Sequence, residues 1–172
     1  MTQLNPYSSF VLKRDYIGQD SCSVARTLEI IGDRWTWLLI RDAFLGLSKF
    51  AAFRDSLGIA PNILQDRLAR LVKEGIFERV LYSERPARFE YRLTQKGSDL
   101  FTALNALRQW GDQYLCAEPM RLLRVIGTEI PVIAALVPEG TPTLANEEIE
   151  LVPGPGFPPT SYASIARPDV SG

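Results

Sequence analysis

Residues 57–76, Leu57-Gly58-Ile59-Ala60-Pro61-Asn62-Ile63-Leu64-Gln65-Asp66-Arg67-Leu68-Ala69-Arg70-Leu71-Val72-Lys73-Glu74-Gly75-Ile76, decide the fold. Leu64, Leu68, Leu71 and Val72 recur at i, i+4, i+7 and i+8, the single apolar stripe of a helix. Asn62, Gln65, Asp66, Ala69, Arg70 and Lys73 occupy the remaining surface. One face packs and the other is offered. Pro61 suits the first helical position, where its missing N–H costs nothing, and Gly75 is expected to end the helix in the left-handed conformation.

Beyond Gly75 the period drops to 2. Ile76, Glu78, Val80 and Tyr82 alternate with Phe77, Arg79 and Leu81, and further on Phe89, Tyr91 and Leu93 alternate with Glu90 and Arg92. The pattern predicts a hairpin of strands 76–82 and 89–93, with residues 83–88 as a polar loop carrying Arg85 and Arg88 and stiffened by Pro86. A helix with a free polar face beside a basic hairpin tip is the outline of a winged helix-turn-helix. In that arrangement the helix enters a DNA major groove and the hairpin reaches phosphate or the adjacent minor groove.

Upstream, Ser21 is a plausible N-cap for a short helix marked by Val24, Leu28 and Ile31 and ended by Gly32. A second helix follows from Asp33, burying Trp35, Leu38, Leu39, Ala43 and Phe44, and stops at Leu45-Gly46. Trp35 and Trp37 read as packing residues rather than a cofactor box. Ser48 is expected to cap a third helix with Phe50, Phe53 and Leu57 inward, and Gly58 turns the chain into the reader helix. Residues 1–20 show little periodicity and are expected to form an arm bearing Tyr7, Phe10 and Tyr16.

Downstream, Thr94 can cap a helix of about 20 residues, with Leu100, Leu104, Leu107 and Trp110 on one side and Phe101, Tyr114 and Leu115 widening it. That stripe either covers the domain's own core or also buries surface against a second copy. A small DNA reader normally needs two half-sites, which favours the second reading. Residues 118–172 are expected to hold short strands near 121–127, 130–137 and 148–152 and then a Pro-rich end. The organisation expected is thus an arm over 1–20, a domain over 21–117 and an extension over 118–172. The fold class is mainly α with a small β wing, α+β overall.

Composition narrows the chemistry. The chain of 172 residues is 46% hydrophobic, enough for a packed core. No apolar run approaches the ~20 residues that span a bilayer. Met1-Thr2-Gln3-Leu4-Asn5-Pro6 lacks the pattern of a signal peptide, so a cytoplasmic protein with no membrane partner is expected. Net charge is −1, but residues 49–96 hold ten Lys/Arg against six Asp/Glu, whereas 118–172 hold three against seven. The basic surplus coincides with the reader helix and wing, although such a window is also common on solvated surfaces. There is no histidine and there are two cysteines, Cys22 and Cys116. Histidine bases and histidine metal sites are excluded, and two cysteines cannot supply a four-thiolate zinc site within one chain. No cofactor, metal or catalytic group is expected; an enzyme with Cys22 as nucleophile would lack a histidine to activate it.

Taken as an ordered set, several short pieces resemble the HxlR family of bacterial winged helix-turn-helix regulators. They are Cys22, Gly32-Asp33-Arg34-Trp35-Thr36, Phe50 and Phe53, then Leu64, Arg67, Leu68, Leu71, Gly75 and Ile76. Arg85-Pro86-Ala87-Arg88-Phe89-Glu90-Tyr91, Leu93-Thr94, Gly97 and Trp110-Gly111 complete the set. The resemblance covers residues 22–115 and implies a homodimer, paired through the first and last helices of the domain, that binds an inverted-repeat operator in double-stranded DNA. Ser23 stands where the family usually has proline, and Ala60 where it usually has Ser or Thr. The latter forgoes a cap worth about 1 kcal/mol in typical helices.

For base reading the candidates are Asn62 and Gln65, whose amides can pair with adenine, and Asp66 toward cytosine. Arg70, Arg85 and Arg88 are candidates for phosphate or the minor groove. Arg67 matches a family position and is either a DNA contact or half of an intramolecular ion pair. The resemblance implies an oxidant or electrophile as effector at Cys22, which is expected beside the first turn of a helix, where the dipole raises thiol reactivity. A buried, inert thiol is the plain alternative. Cys116 could meet the partner's first helix in such a dimer. A small aromatic ligand is a second candidate effector, because buried aromatics and the extension could form a pocket. The extension matches weakly a cysteine-bearing ribbon of longer family members, but its ligands are absent and a metal-free ribbon is expected. The rival to a DNA reader is a winged-helix module that binds protein and not specific DNA.

Overall fold

The computed structural model describes residues 22–157. The arm expected over 1–20, the cap residue Ser21 and the Pro-rich end lie outside the described residues. Four helices come first: α1 (Ser23–Ile31), α2 (Arg34–Phe44), α3 (Phe50–Leu57) and α4 (Pro61–Lys73). An antiparallel hairpin of β1 (Phe77–Glu84) and β2 (Ala87–Leu93) follows, then the single turn α5 (Gln95–Ser98) and α6 (Phe101–Tyr114). The extension pairs β3 (Arg121–Val125) with β4 (Ile149–Pro153) in a separate antiparallel ribbon. The fold is α+β, a winged helix-turn-helix with a β ribbon, as the periodicities predict.

The apolar stripe of α4 is the hub. Leu64, Leu68 and Leu71 are fully buried in one cluster with Leu39 and Ile40 of α2, Phe53 of α3 and Phe77 of β1. Phe53 and Phe77 meet edge to face, ring centroids 6.2 Å apart. Each such side chain contributes about 1.5–3 kcal/mol relative to exposure, so the cluster fixes how α4 sits. Its ends follow from local chemistry. Ala60 is an N-cap without a side-chain bond and Pro61 stands at the first position. At the other end Gly75 has φ +69°, and the N–H groups of Gly75 and Ile76 return to the carbonyls of Val72 and Leu71, so buried Ile76 folds back on Leu71. Gly58, at φ +59°, makes the turn between α3 and α4.

Five local expectations are corrected. Cys22, not Ser21, is the N-cap of α1, its sulfur accepting from the Ala25 N–H. Ser48 does not cap α3; Lys49 occupies that position, and the Ser48 hydroxyl donates instead to Glu90 of the wing. The six-residue wing loop is a two-residue turn, because backbone pairing continues past a bulge at Tyr82 through Ser83 with Arg88 and Glu84 with Ala87. The helix expected to run unbroken from Thr94 is divided at Asp99-Leu100, where the Leu100 N–H reaches Gly97 O, three residues back. In the extension, 130–137 is not a strand. Pro131 makes one isolated bridge with Arg124, and Ala134 is held by the Gln109 amide, which donates to its carbonyl and accepts from its N–H.

Candidate nucleic-acid interface

The face of α4 away from the core presents Asn62, Gln65, Asp66 and Ala69, all exposed, near its N-terminal half. Neither amide nor the Asp66 carboxylate has a partner among the described residues. Exposed amides and a carboxylate on successive turns of a rigid helix are the groups that read base edges in a major groove. Lys73 extends this surface with a cation in the last turn.

The wing presents a different chemistry. The short turn sets Arg85 at its apex and places Arg88 within β2, opposite Ser83, both exposed. The Ser83 hydroxyl donates to Pro86 O at 3.1 Å and closes the tip. Below it, Arg79 lies over the Phe89 ring, 3.5 Å from its centroid, and Lys49 over Tyr82 at 5.1 Å. At the base, buried Glu90 accepts from Ser48 Oγ at 3.1 Å and from Arg92 Nε at 2.7 Å, while the Tyr91 N–H donates to Ser48 O at 2.7 Å. The wing is thereby tied to the start of α3.

Two of the sequence-predicted arginines are engaged within the chain. Arg67 Nε lies 3.2 Å from Asp33 Oδ1, an ion pair at an angle outside that of a directed hydrogen bond. The same carboxylate caps α2 through the Trp35 and Thr36 N–H groups at 3.0 and 3.2 Å. Asp33 thus joins the start of α2 to the middle of the reader helix. Arg70 Nη2 donates to Glu29 O of α1. Asn62, Gln65, Asp66, Arg85 and Arg88 share none of these ties.

Sequence reasoning passed over the groups that hold the reader helix and wing in register. Thr94 Oγ1 donates to Gly75 O at 2.6 Å, and Lys96 Nζ to Glu74 O at 2.7 Å, so the end of α4 is clasped from beyond the wing. The Lys in the motif Leu-Thr-Gln-Lys-Gly was a visible signal, since a cation satisfies terminal helix carbonyls. The Ser48–Glu90 tie had no signal, because it joins residues far apart in sequence.

The cysteines occupy different settings. Cys22 is half-buried at the head of α1, whereas Cys116 is exposed just past α6. Exposed apolar side chains flank both: Val24 and Leu28 on α1, and Leu107, Trp110 (55% exposed), Tyr114 and Leu115 (73%) along and just after α6. Among the described residues no helix is long and apolar enough to cross a membrane.

Comparison with known proteins agrees with this geometry. The profile of the HxlR-like helix-turn-helix family matches residues 30–119. The protein Rv3095 of Mycobacterium tuberculosis, named an uncharacterised HTH-type transcriptional regulator, is 52% identical over 93 residues. That stretch is 54% of this chain and 59% of the relative, so the match spans less than two thirds of that protein's length. Among solved structures, PA1607, a candidate transcription factor, shares 45% identity at a TM-score of 0.64 over 76% of this chain and 93% of its own. The likeness to PA1607 therefore covers more of the chain than the family profile does. The redox regulator HypR in its reduced form shares 31% identity at a TM-score of 0.50, over 52% of this chain and 90% of its own. Family profile, relatives and fold agree, and the chain belongs to the HxlR-like helix-turn-helix family, a family of regulators and not of enzymes.

Proposed function

We propose that two copies of this chain bind an inverted-repeat operator in double-stranded DNA and regulate transcription there. The carrying observation is the division of the DNA-facing groups: Asn62, Gln65 and Asp66 exposed on a helix fixed by its own core, beside a wing tip bearing Arg85 and Arg88. Amides and a carboxylate read bases, and the arginines neutralise phosphate. Arg67 serves by holding α4 through Asp33, and Arg70, with Nη2 on Glu29 O, keeps its other N–H groups for the DNA backbone. Names of the relatives support the regulator reading, and PA1607 supports it across part of the extension as well.

Two effectors fit. HypR, solved in reduced and oxidised forms, is a redox regulator, and Cys22 occupies a helix N-cap here. Oxidation or an electrophile at Cys22, with Cys116 of the partner copy as a candidate disulfide partner, is one switch. A small aromatic ligand is the other. Fluorescence anisotropy on DNA upstream of this gene and its neighbours, at several salt concentrations and with or without a thiol oxidant, tests the reading. Saturable binding that prefers one sequence and weakens with salt is expected. Binding no tighter than to random DNA at any salt would remove operator recognition and favour a protein-interaction module. A non-reducing gel showing only monomer after oxidation would remove the disulfide.

A further inference from the structure

A cavity of about 370 Å³ opens between the reader domain and the extension. Its apolar walls come from Trp37 and Phe44 of α2 and from Phe101 and Leu104 of α6, with Phe44 and Phe101 edge to face at 5.0 Å. The strand β4 contributes the remaining side. Such a volume lies at the lower end of the ~300–1,000 Å³ typical of small-molecule sites. It suits one ring or a fused pair.

Two guanidinium groups line the same cavity, Arg41 from α2 and Arg108 from α6. Arg41 spends Nε and Nη2 on Asp42 Oδ1, at 2.9 and 2.7 Å. Arg108 donates through Nε to the buried Asn105 side chain at 3.2 Å, and through Nη1 to Asp112 and to Arg121 O. Arg41 Nη1 and Arg108 Nη2 have no protein partner among the described residues. Asn105 in turn donates to Phe101 O at 2.9 Å, which fixes both its own amide and the Arg108 side chain. Each arginine is already paired with one aspartate, so what the two still offer a ligand is their unused N–H donors and no net positive charge. A dianion would therefore meet two nearby carboxylates, while a neutral ligand would leave the remaining N–H groups unmet inside an apolar wall.

We infer that this seam binds an aryl monocarboxylate, the ring among Trp37, Phe44, Phe101 and Leu104 and the carboxylate on the free edges of Arg41 and Arg108. The site gives the extension a role. Its ligand is clasped between α6 and the helix whose N-cap, Asp33, holds Arg67 of the reader helix. Occupancy thus acts on the element that sets α4. This deepens the aromatic-effector arm of the proposed function, and only the effect on DNA rests on that reading.

Isothermal titration of the full chain with benzoate, with benzamide as its neutral isostere and with inorganic phosphate, tests the site without DNA. Saturable benzoate binding is expected, with benzamide and phosphate each at least about tenfold weaker. Arg41→Gln, at a half-exposed position, is expected to weaken benzoate about tenfold and leave benzamide unchanged. Arg108→Gln should do the same. It loses a tie to β3, as Arg41→Gln takes the cation from buried Asp42. Unchanged benzamide binding therefore shows that each variant keeps its fold, and the loss of benzoate in both decides. Equal binding of benzoate and benzamide, or no heat with benzoate up to about 10 mM, overturns the proposal. So does benzoate affinity that falls as protein concentration rises, because a second copy would then cover the seam. Operator binding that fails while benzoate still binds would count against the regulator reading and not against this site.

Discussion

At the scale of single residues, Asp33 carries the most structural work for its size. One carboxylate caps α2 through two N–H groups, accepts the Thr36 hydroxyl at 2.5 Å and faces the Arg67 guanidinium. Asp33→Ala removes the cap and leaves a partly covered cation without its counter-charge. It is expected to cost about 2–3 kcal/mol, a cap being worth ~1 and the stranded groups the rest. Asp33→Asn keeps a capping oxygen and loses only the charge, so it should recover at least half of that. Urea melts followed by circular dichroism check both, with an unchanged m-value showing that stability alone has moved. A loss below ~0.5 kcal/mol for Asp33→Ala would mean that the two helices are held by packing and not by this group. The Gly-Asp-Arg-Trp-Thr stretch was legible as a helix start because capping is local. Its pairing with Arg67 was legible only as one of two alternatives, because sequence spacing does not say which cation a carboxylate meets.

At the scale of elements, the proposed DNA contacts fall into two kinds, one on the wing and one on the reader helix, and mutation should separate them. Arg85→Ala and Arg88→Ala each remove a candidate phosphate contact from an exposed hairpin. Each should weaken binding to all sequences alike and lower the slope of log affinity against log salt by about one. Asn62→Ala should instead cost about 1–3 kcal/mol on the operator alone, relax preference at one base pair and leave the salt slope unchanged. Anisotropy on operator and scrambled DNA distinguishes these outcomes, and a salt slope that fell with Asn62→Ala would reverse the assignment. Existence of both elements was legible because periods near 3.6 and 2 report a buried face. Their limits were less so. Ser83, Glu84, Ala87 and Arg88 look like loop, yet their backbones pair, and pairing uses groups that every residue carries. The apolar run at 130–137 looks like a strand, yet Pro131 lacks the N–H a ladder needs, and Gln109 supplies bonds to Ala134 that no local pattern announces.

At the scale of the whole molecule, exposed apolar side chains occur in the extension, among them Ile133 and Leu136, on the wing at Leu81 and Tyr82, and as a group on α1 and α6, the first and last helices of the reader domain. Trp110 and Tyr114 are a tilted pair with centroids 5.4 Å apart, and Leu107 and Leu115 flank them in solvent. Leu100, Phe101 and Leu104, on the same helical path, turn inward and are half-covered. The stripe on α6 is therefore covered along one part and exposed along the other, and its width in the sequence spans both. A second copy packed on the outer part would remove the exposed rings from water and place two α4 helices for two half-sites. A charge at the centre of such an interface is costly and cannot disturb a core that Trp110 does not enter. Trp110→Glu is thus expected to run as a monomer in sedimentation velocity at concentrations where the wild type is a dimer, with an unaltered far-ultraviolet spectrum. Its affinity for the full inverted repeat should fall about 10–100-fold, toward that for one half-site, because the second reader no longer arrives at high effective concentration. If the variant sediments as the wild type does and binds the repeat as tightly, the exposed face of α6 is not where the copies meet.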